Sequence, residues 1–425
     1  MKSREKGDTE LPLSWSESER SVLKLNMRHL CLFGAWPLSR YRIFHVYSVI
    51  NLALGIWYVN EASTYVSYIW GDMEEATLVL ISTFNIGSIV VKTTLFLWHR
   101  GQYFALVRRV DDLMLLQSEP CSQDPVLGHL LWRSKRTAAR LTTAMLLLMV
   151  SQYVTWYPMP LIMNWGERRL PLAQHPWDNN SNYYVLSYAA QCIAVSWMTQ
   201  ISFGIDCLFV SIMILVAAQM KILASRVANL KMQDVGLSSK QHTIKSPGYK
   251  LYRDLCLCIE THQQLLRFIR ELEDAMSPIV LTQFACSVLV TCVTLFPAVF
   301  STDFTAVIRS AGFLPVPLGQ PYLYCWGAHT VTEQFGCTQE EVGNANEPPH
   351  NFSPCSRQSC AWMEASESFK RALRILISRA QKPLVLTAGH LYPINRPAFV
   401  SLVNASYTYY ALLCQFNKRA KERAL

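Results

Sequence analysis

The chain has 425 residues, of which 51% are hydrophobic and 16% charged, a balance that would leave a soluble protein short of polar surface and makes lipid its natural solvent. The 13 cysteines form no C-x-x-C pairs and no zinc spacing, and several sit inside apolar runs, leaving room for one or two bridges at most and no metal site. The net charge of +9 is scattered between apolar runs rather than gathered on a basic helix with interleaved aromatics, so it describes membrane topology and not a nucleic-acid partner.

In chain order, residues 1–42 are polar and lack the short apolar stretch and cleavage site of a secretory signal, so insertion starts from the first span. Windows of about 20 mostly apolar residues, the length that crosses a bilayer core, occur at Ile43–Asn60, Ala76–Trp98, Leu141–Met163, Val185–Ala218 and Pro278–Phe300. Phe304–Trp326 makes a degraded sixth span, carrying Arg309, Pro315, Pro317 and Pro321. Leu384–Phe416 supplies the seventh, entered through Pro393 and Pro397. The expected fold is an all-α membrane protein of seven transmembrane helices. Its parts are spans one to six over 43–326, a loop over 327–383, a pore-lining seventh span over 384–416 and a short tail, 417–425.

Lys and Arg collect in cytoplasmic loops. Residues 1–42 hold eight of them, Glu61–Glu75 none beside four acids, 99–140 seven, the next connection only Arg168 and Arg169, 219–277 nine, and 327–382 six. This alternation puts the amino terminus inside and the carboxyl terminus outside, against the preference of Lys418, Arg419, Lys421 and Arg423 in the tail. A G-protein-coupled receptor has the opposite orientation, and the chain lacks both Asp-Arg-Tyr at an inner third-span end and Asn-Pro-x-x-Tyr in the seventh.

The sequon at Asn179 falls in an external loop and is a reachable glycosylation acceptor, whereas those at Asn351 and Asn404 are cytoplasmic and intramembrane. Tyr249–Met276 has helical apolar spacing and should continue below the membrane. Ser366–Gln381 sets Phe369, Leu373, Leu376 and Ile377 against Lys370, Arg371, Arg374 and Arg379. The two helices make a cytoplasmic anchor region, packed together or lying on the membrane surface.

A small apolar ligand needs a mostly apolar cavity with few polar groups. The outer span halves offer Phe84, Tyr153, Trp156, Tyr157, Tyr188, Gln191, Ser196 and Trp197. Such aromatics also serve as interfacial belts. Pro158 and Pro160 can bend span three and open space beside it. In the last span Ser401, Asn404, Thr408 and Gln415 recur on one helix side, as a water-lined path requires, with Leu412 and Phe416 able to close it by excluding water. The bland alternative is that the small polar residues let helices pack closely. Lys92 and Asp206 are ionisable positions inside spans and functional suspects by default; otherwise Lys92 snorkels to the inner surface and Asp206 anchors a polar contact within the subunit. No G-x-S-x-G, H-E-x-x-H, phosphate loop or clustered carboxylates point to an enzyme.

Four stretches carry a family resemblance. CIETHQQLLRFIRELEDAMSPIVLTQF (Cys258–Phe284), DCLFVSIMILVAAQMKILASRV (Asp206–Val227), SFKRALRILISRAQKPLVLTAG (Ser368–Gly389) and SLVNASYTYYALLCQF (Ser401–Phe416) are similar to the insect odorant receptor family. The resemblance covers most of the chain and implies an inverted seven-helix fold, a volatile odorant as ligand, no cofactor, and a tetrameric cation channel shared with the odorant co-receptor. It also implies a constriction near the external end of the last helix, mapping onto Leu412, Gln415 and Phe416. Other classes kept open are a metabotropic receptor and a gustatory-type channel acting alone. Two features depart from the pattern. FLPVPLGQP precedes YLYCW (Tyr322–Trp326), so span six should be kinked. Gly336–Cys360 is longer and more irregular than the family's loop, either an insert or retained non-coding sequence.

Overall fold

The fold is seen in a computed structural model that describes residues 15–36, 42–69, 73–158, 161–162, 170, 184–237, 247–300, 312–343, 367–380 and 384–424. Within these the chain forms α1 (Trp15–Ser18), α2 (Lys24–Leu32), α3 (Arg42–Tyr68), α4 (Met73–Trp98), α5 (Arg100–Leu116), α6 (Ser118–Gln123), α7 (Pro125–Trp156), α8 (Tyr184–Leu237), α9 (Pro247–Phe300), α10 (Pro315–Gly343), α11 (Glu367–Ala380) and α12 (Arg396–Ala424). A two-stranded hairpin, β1 (Thr387–Ala388) with β2 (Tyr392–Pro393), pairs Thr387 with Pro393 and Ala388 with Tyr392. The helices that overlap the seven expected spans are α3, α4, α7, α8, α9, α10 and α12. Among the described residues, stretches of α3, α4, α8 and α9 are long and apolar enough to cross a membrane by length and composition.

The shafts of the bundle are α8 and α9, each of 54 residues and hence about 80 Å long at 1.5 Å per residue. That exceeds a bilayer core of about 30 Å, so both project well beyond it, and the helix expected over Tyr249–Met276 is continuous with span five. Helix α8 runs down the centre and buries Phe209, Ile212, Met213, Leu215 and Met220 almost completely. Around it pack α7, α10, α9 and α4, while α3 lies outside against α4 and exposes Ile43, Val46, Val49 and Trp57.

The unusual composition of span six has a packing reason. Helix α10 faces protein and not lipid: Gln320, Leu323, Tyr324, Cys325, Ala328 and Val331 are buried, and α8 is its main partner. Pro321 lies inside the helix, tolerable where neighbouring helices surround it. A Cβ on Gly327 would come within 2.9 Å of Met213 Cε, so glycine permits the close approach to α8. The helix continues to Gly343, through the first residues of the segment expected to be irregular from Gly336 onwards.

Two other regions carry structure that the sequence reading did not foresee. Residues 24–36, within the segment expected to be cytoplasmic, pack into the bundle, with Met27, Leu30 and Trp36 fully buried. Asn26 Nδ2 donates to Cys207 O (2.9 Å) and Ser211 Oγ (3.0 Å) on α8, and Thr142 Oγ1 on α7 donates to Asn26 Oδ1 (3.0 Å). Val22 N donates to Asp111 Oδ1 on α5 (3.0 Å); burial pushes that carboxyl above its ordinary range, against the pull of its hydrogen bonds. Further along, Leu384–Phe416 is not one continuous span, because helix α12 starts only at Arg396. Residues 386–394 fold instead into the hairpin on α9: Thr387 N and Oγ1 donate to Glu273 Oε1, Ser277 Oγ donates to Thr387 O (2.9 Å), and His390 N donates to Ser277 Oγ (3.0 Å). The turn needs positive φ at Gly389 (61°) and His390 (55°).

Candidate ligand site and pore-lining helix

Three constellations line up along α8, α9 and α12. The outermost joins α7 to α8 through tyrosines. Tyr153 and Tyr157 stack with centroids 5.4 Å apart. Tyr153 Oη donates to Ser196 O (3.2 Å) and accepts from Gln200 Nε2 (3.2 Å), Tyr157 Oη donates to Cys192 O (3.1 Å) and lies 2.5 Å from Ser196 Oγ, and Tyr188 Oη donates to Tyr157 O. One helix turn past Tyr188, Gln191 is buried. The result is a half-buried aromatic wall in which α8 holds the Tyr153 and Tyr157 hydroxyls and the end of α7 holds that of Tyr188.

The structure divides the expected ligand residues. Tyr153, Tyr157 and Tyr188 come together, and Gln191 is buried on α8 about 140° round the helix from Ser196. Trp197 faces the other way: its Nε1 donates to Tyr47 Oη (2.7 Å), and Phe33 packs edge-on at 5.1 Å. Phe84, on α4, is exposed on a helix that packs against α3, α8 and α9, and does not join the tyrosine wall. The side chain of Trp156, and Asn179 altogether, lie outside the described residues. Sequence reasoning missed Gln200, Tyr47 and Phe33. Gln200 was accessible in principle, since it continues the polar side of α8 from Ser196.

Directly below, a buried polar network ties α4, α8, α9 and α10 together. Lys92 Nζ lies 2.5 Å from Asp206 Oδ1 and donates to Ser202 Oγ (3.1 Å) and Gln283 Oε1 (2.9 Å). Asp206 accepts further from Tyr324 Oη (2.6 Å) and Gln320 Nε2 (2.8 Å), and Gln283 Nε2 donates to Gln320 Oε1 (2.7 Å) and Ser287 Oγ (3.0 Å). All three ammonium protons are used, and both carboxylate oxygens accept. Lys92 therefore does not snorkel; at 1% exposure it is locked in the interior beside Asp206 at 0%. Two charges at this depth are tolerable only because they neutralise and hydrogen-bond each other completely. The network meets the tyrosine wall through α8, with Ser202 two residues after Gln200.

The third constellation is the outward face of α12. Ser401, Asn404, Thr408, Leu412 and Gln415 lie within about 80° of one another around the helix, and all five are exposed. Phe399, Leu402 and Ser406 occupy the other side, and α12 packs on α9 and α10. The side chain of Phe416 is outside the described residues. A face made of a hydroxyl, an amide, another hydroxyl, a leucine and another amide suits water or a neighbouring subunit better than acyl chains.

A helical bundle with two over-long shafts, a fully buried ion pair and a polar face on its last helix has the form of a multi-helix membrane protein. The 7tm Odorant receptor family model matches residues 72–342 and 357–407, more than half of the chain. Over 93% of its length the chain superimposes on 97% of the insect olfactory receptor OR5 from Machilis hrabei at a TM-score of 0.72 and 18% identity; the same receptor in complex with eugenol gives 0.71. Odorant receptor Or2 of Anopheles gambiae is 26% identical over 44% of this chain and 47% of its own, so the chain spans about half that relative's length. Odorant receptor 46a, isoform A, of Drosophila melanogaster is 22% identical over 91% of this chain and 96% of its own. The chain belongs to the seven-transmembrane odorant receptor family.

Proposed function

We propose that this protein is an odour-gated cation-channel subunit that works with the odorant co-receptor in the plasma membrane of olfactory neurons. Its amino terminus would be inside and its carboxyl terminus outside, as the Lys and Arg distribution favours, with Asn179 available for glycosylation. A small volatile ligand sits in the outer half against Tyr153, Tyr157, Tyr188 and Gln191. The eugenol complex of the Machilis receptor supports a ligand of that size.

The observation that carries the proposal is the exposed stripe Ser401, Asn404, Thr408, Leu412 and Gln415 on a membrane-depth helix. We assign it to a water-filled path shared between subunits, with Leu412 and Phe416 closing it. Ligand at the tyrosine wall shifts α8; the buried network passes that shift to α9 and α10; both pack on α12. Gating requires only that the open arrangement bind the ligand more tightly than the closed one. Cysteine substitution at Asn404 or Thr408, followed by a charged thiol reagent applied during odour stimulation, tests the stripe. Progressive current block that the unsubstituted receptor lacks is expected; full immunity of both positions in a responding receptor would remove α12 from the path.

A further inference from the structure

We propose that the basic end of α7 is a binding surface for anionic phospholipid headgroups of the inner leaflet. Helix α7 has two opposite faces. Leu127, Leu131, Ala138, Thr142 and Met149 are buried against the bundle. On the other face Arg133, Arg136, Arg140, Ala144, Leu147 and Val154 follow one another within about 60° on either side of a single line along the helix, and all are exposed. Above Arg140 this stripe is mostly apolar, with Leu147 65% and Val154 69% exposed and the exposed Ser151 between them turning its hydroxyl onto Leu148 O (2.7 Å), a face that suits acyl chains. The same stripe continues downward without a break as three arginines.

The change from apolar to basic fixes the depth. Arg140 is one helix turn below Ala144, and Arg133 about 10 Å below Arg140, so the three guanidiniums span the headgroup layer and the water just beneath it. Trp132 is 53% exposed at the same level, where indole rings favour the membrane interface. Arg136 lies over its ring at 4.9 Å. Among the described residues none of the three arginines pairs with an acidic side chain. Guanidinium forks match phosphate oxygens bidentately, and among the described residues no carboxylate competes for them.

The test uses the full-length receptor, purified in detergent and titrated with phosphatidylserine, phosphatidylinositol 4,5-bisphosphate or phosphatidylcholine, reading bound lipid by native mass spectrometry and melting temperature in parallel. Anionic lipids are expected to bind and to raise the melting temperature, and phosphatidylcholine is not. Each arginine near such a surface contributes about fivefold in affinity, so Arg133→Gln/Arg136→Gln/Arg140→Gln should weaken anionic-lipid binding on the order of a hundredfold. Removing the same charge from the tail, with Lys418→Gln/Arg419→Gln/Lys421→Gln, should leave most of the binding intact. Equal affinity of the α7 variant and the parent overturns the proposal, as does equal loss in the tail variant, which reduces the effect to net charge. Competition by free inositol trisphosphate as strong as by the lipid also overturns it, in favour of a soluble-phosphate site. Should the triple α7 variant not fold, Arg136→Gln and Arg140→Gln singly are expected to lose about fivefold each, and no loss in either is equally decisive. These readouts need neither odour nor current, so they stand apart from the channel reading.

Discussion

Replacing Lys92 by methionine keeps the stem's volume but removes the ammonium that faces Asp206, Ser202 and Gln283. Asp206 would stay buried with only Tyr324 and Gln320 as donors. Stripping one partner from a buried pair costs about 3–5 kcal/mol, because the survivor remains in low dielectric uncompensated. Asp206→Asn should cost a similar amount by stranding the ammonium. The double variant Lys92→Met/Asp206→Asn carries no buried charge; its amide can still accept from Tyr324 or Gln320, and the chief loss is the donor to Gln283 Oε1, about 1–3 kcal/mol. The double variant is therefore expected to be no less stable than either single one, a coupling of about 3 kcal/mol or more. Denaturant unfolding of the purified receptor in detergent, with cell-surface yield as a parallel reading, measures the cycle. Additive costs in the double variant, or single variants within about 1 kcal/mol of the parent, would refute the view that these charges neutralise one another.

Three further outcomes follow from particular contacts. Gly389→Ala must hold φ at 61° and bring its Cβ within 2.4 Å of Leu281 Cδ2; a loss of about 1–3 kcal/mol, with reduced odour currents because the hairpin seats the start of α12, is expected, and an unchanged melting curve would contradict the hairpin's role. Tyr157→Phe removes the hydroxyl held by Cys192 O and Ser196 Oγ; it should move the odour concentration for half-maximal current by about tenfold while surface expression persists, and an unmoved curve across an odour panel would place the ligand elsewhere. Asp111, whose carboxyl is pushed up by burial, binds its proton more tightly folded than unfolded, so its contribution falls as pH rises from the ordinary carboxylate value of 3.8 through the raised folded one. Asp111→Asn can still accept from Val22 N, and should be at least as stable as the parent at neutral pH with the gap closing on acidification; a variant less stable at pH 7 in thermal melts would reverse that sign.

The membrane spans and the polar side of α12 were legible in the sequence because each is a local pattern: an apolar run of fixed length, or residues repeating at helical spacing. Asp206 was legible as an oddity with the role of an internal anchor. Lys92 was misread, since its place near the end of a span is equally consistent with snorkelling, and only the three-dimensional approach of α8 and α9 separates the two. Span six looked degraded because hydropathy presumes lipid as the neighbour, and α10 has protein instead. The docking of α2 was invisible for a different reason. Asn26 finds its partners 181 and 185 residues away, and a short helix among charged residues carries no local mark of such a contact. Trp197 illustrates the limit within one helix: it is one residue after Ser196 and therefore turns about 100° away from the tyrosine wall.

The central claim is that this chain gates an ion path directly. Expression in oocytes with and without an odorant co-receptor, recording currents under an odour panel during G-protein block and with surface expression verified, tests it most directly. The account predicts odour-evoked cation currents that need the co-receptor and survive the block. Responses abolished by the block would contradict it and make the protein a metabotropic receptor.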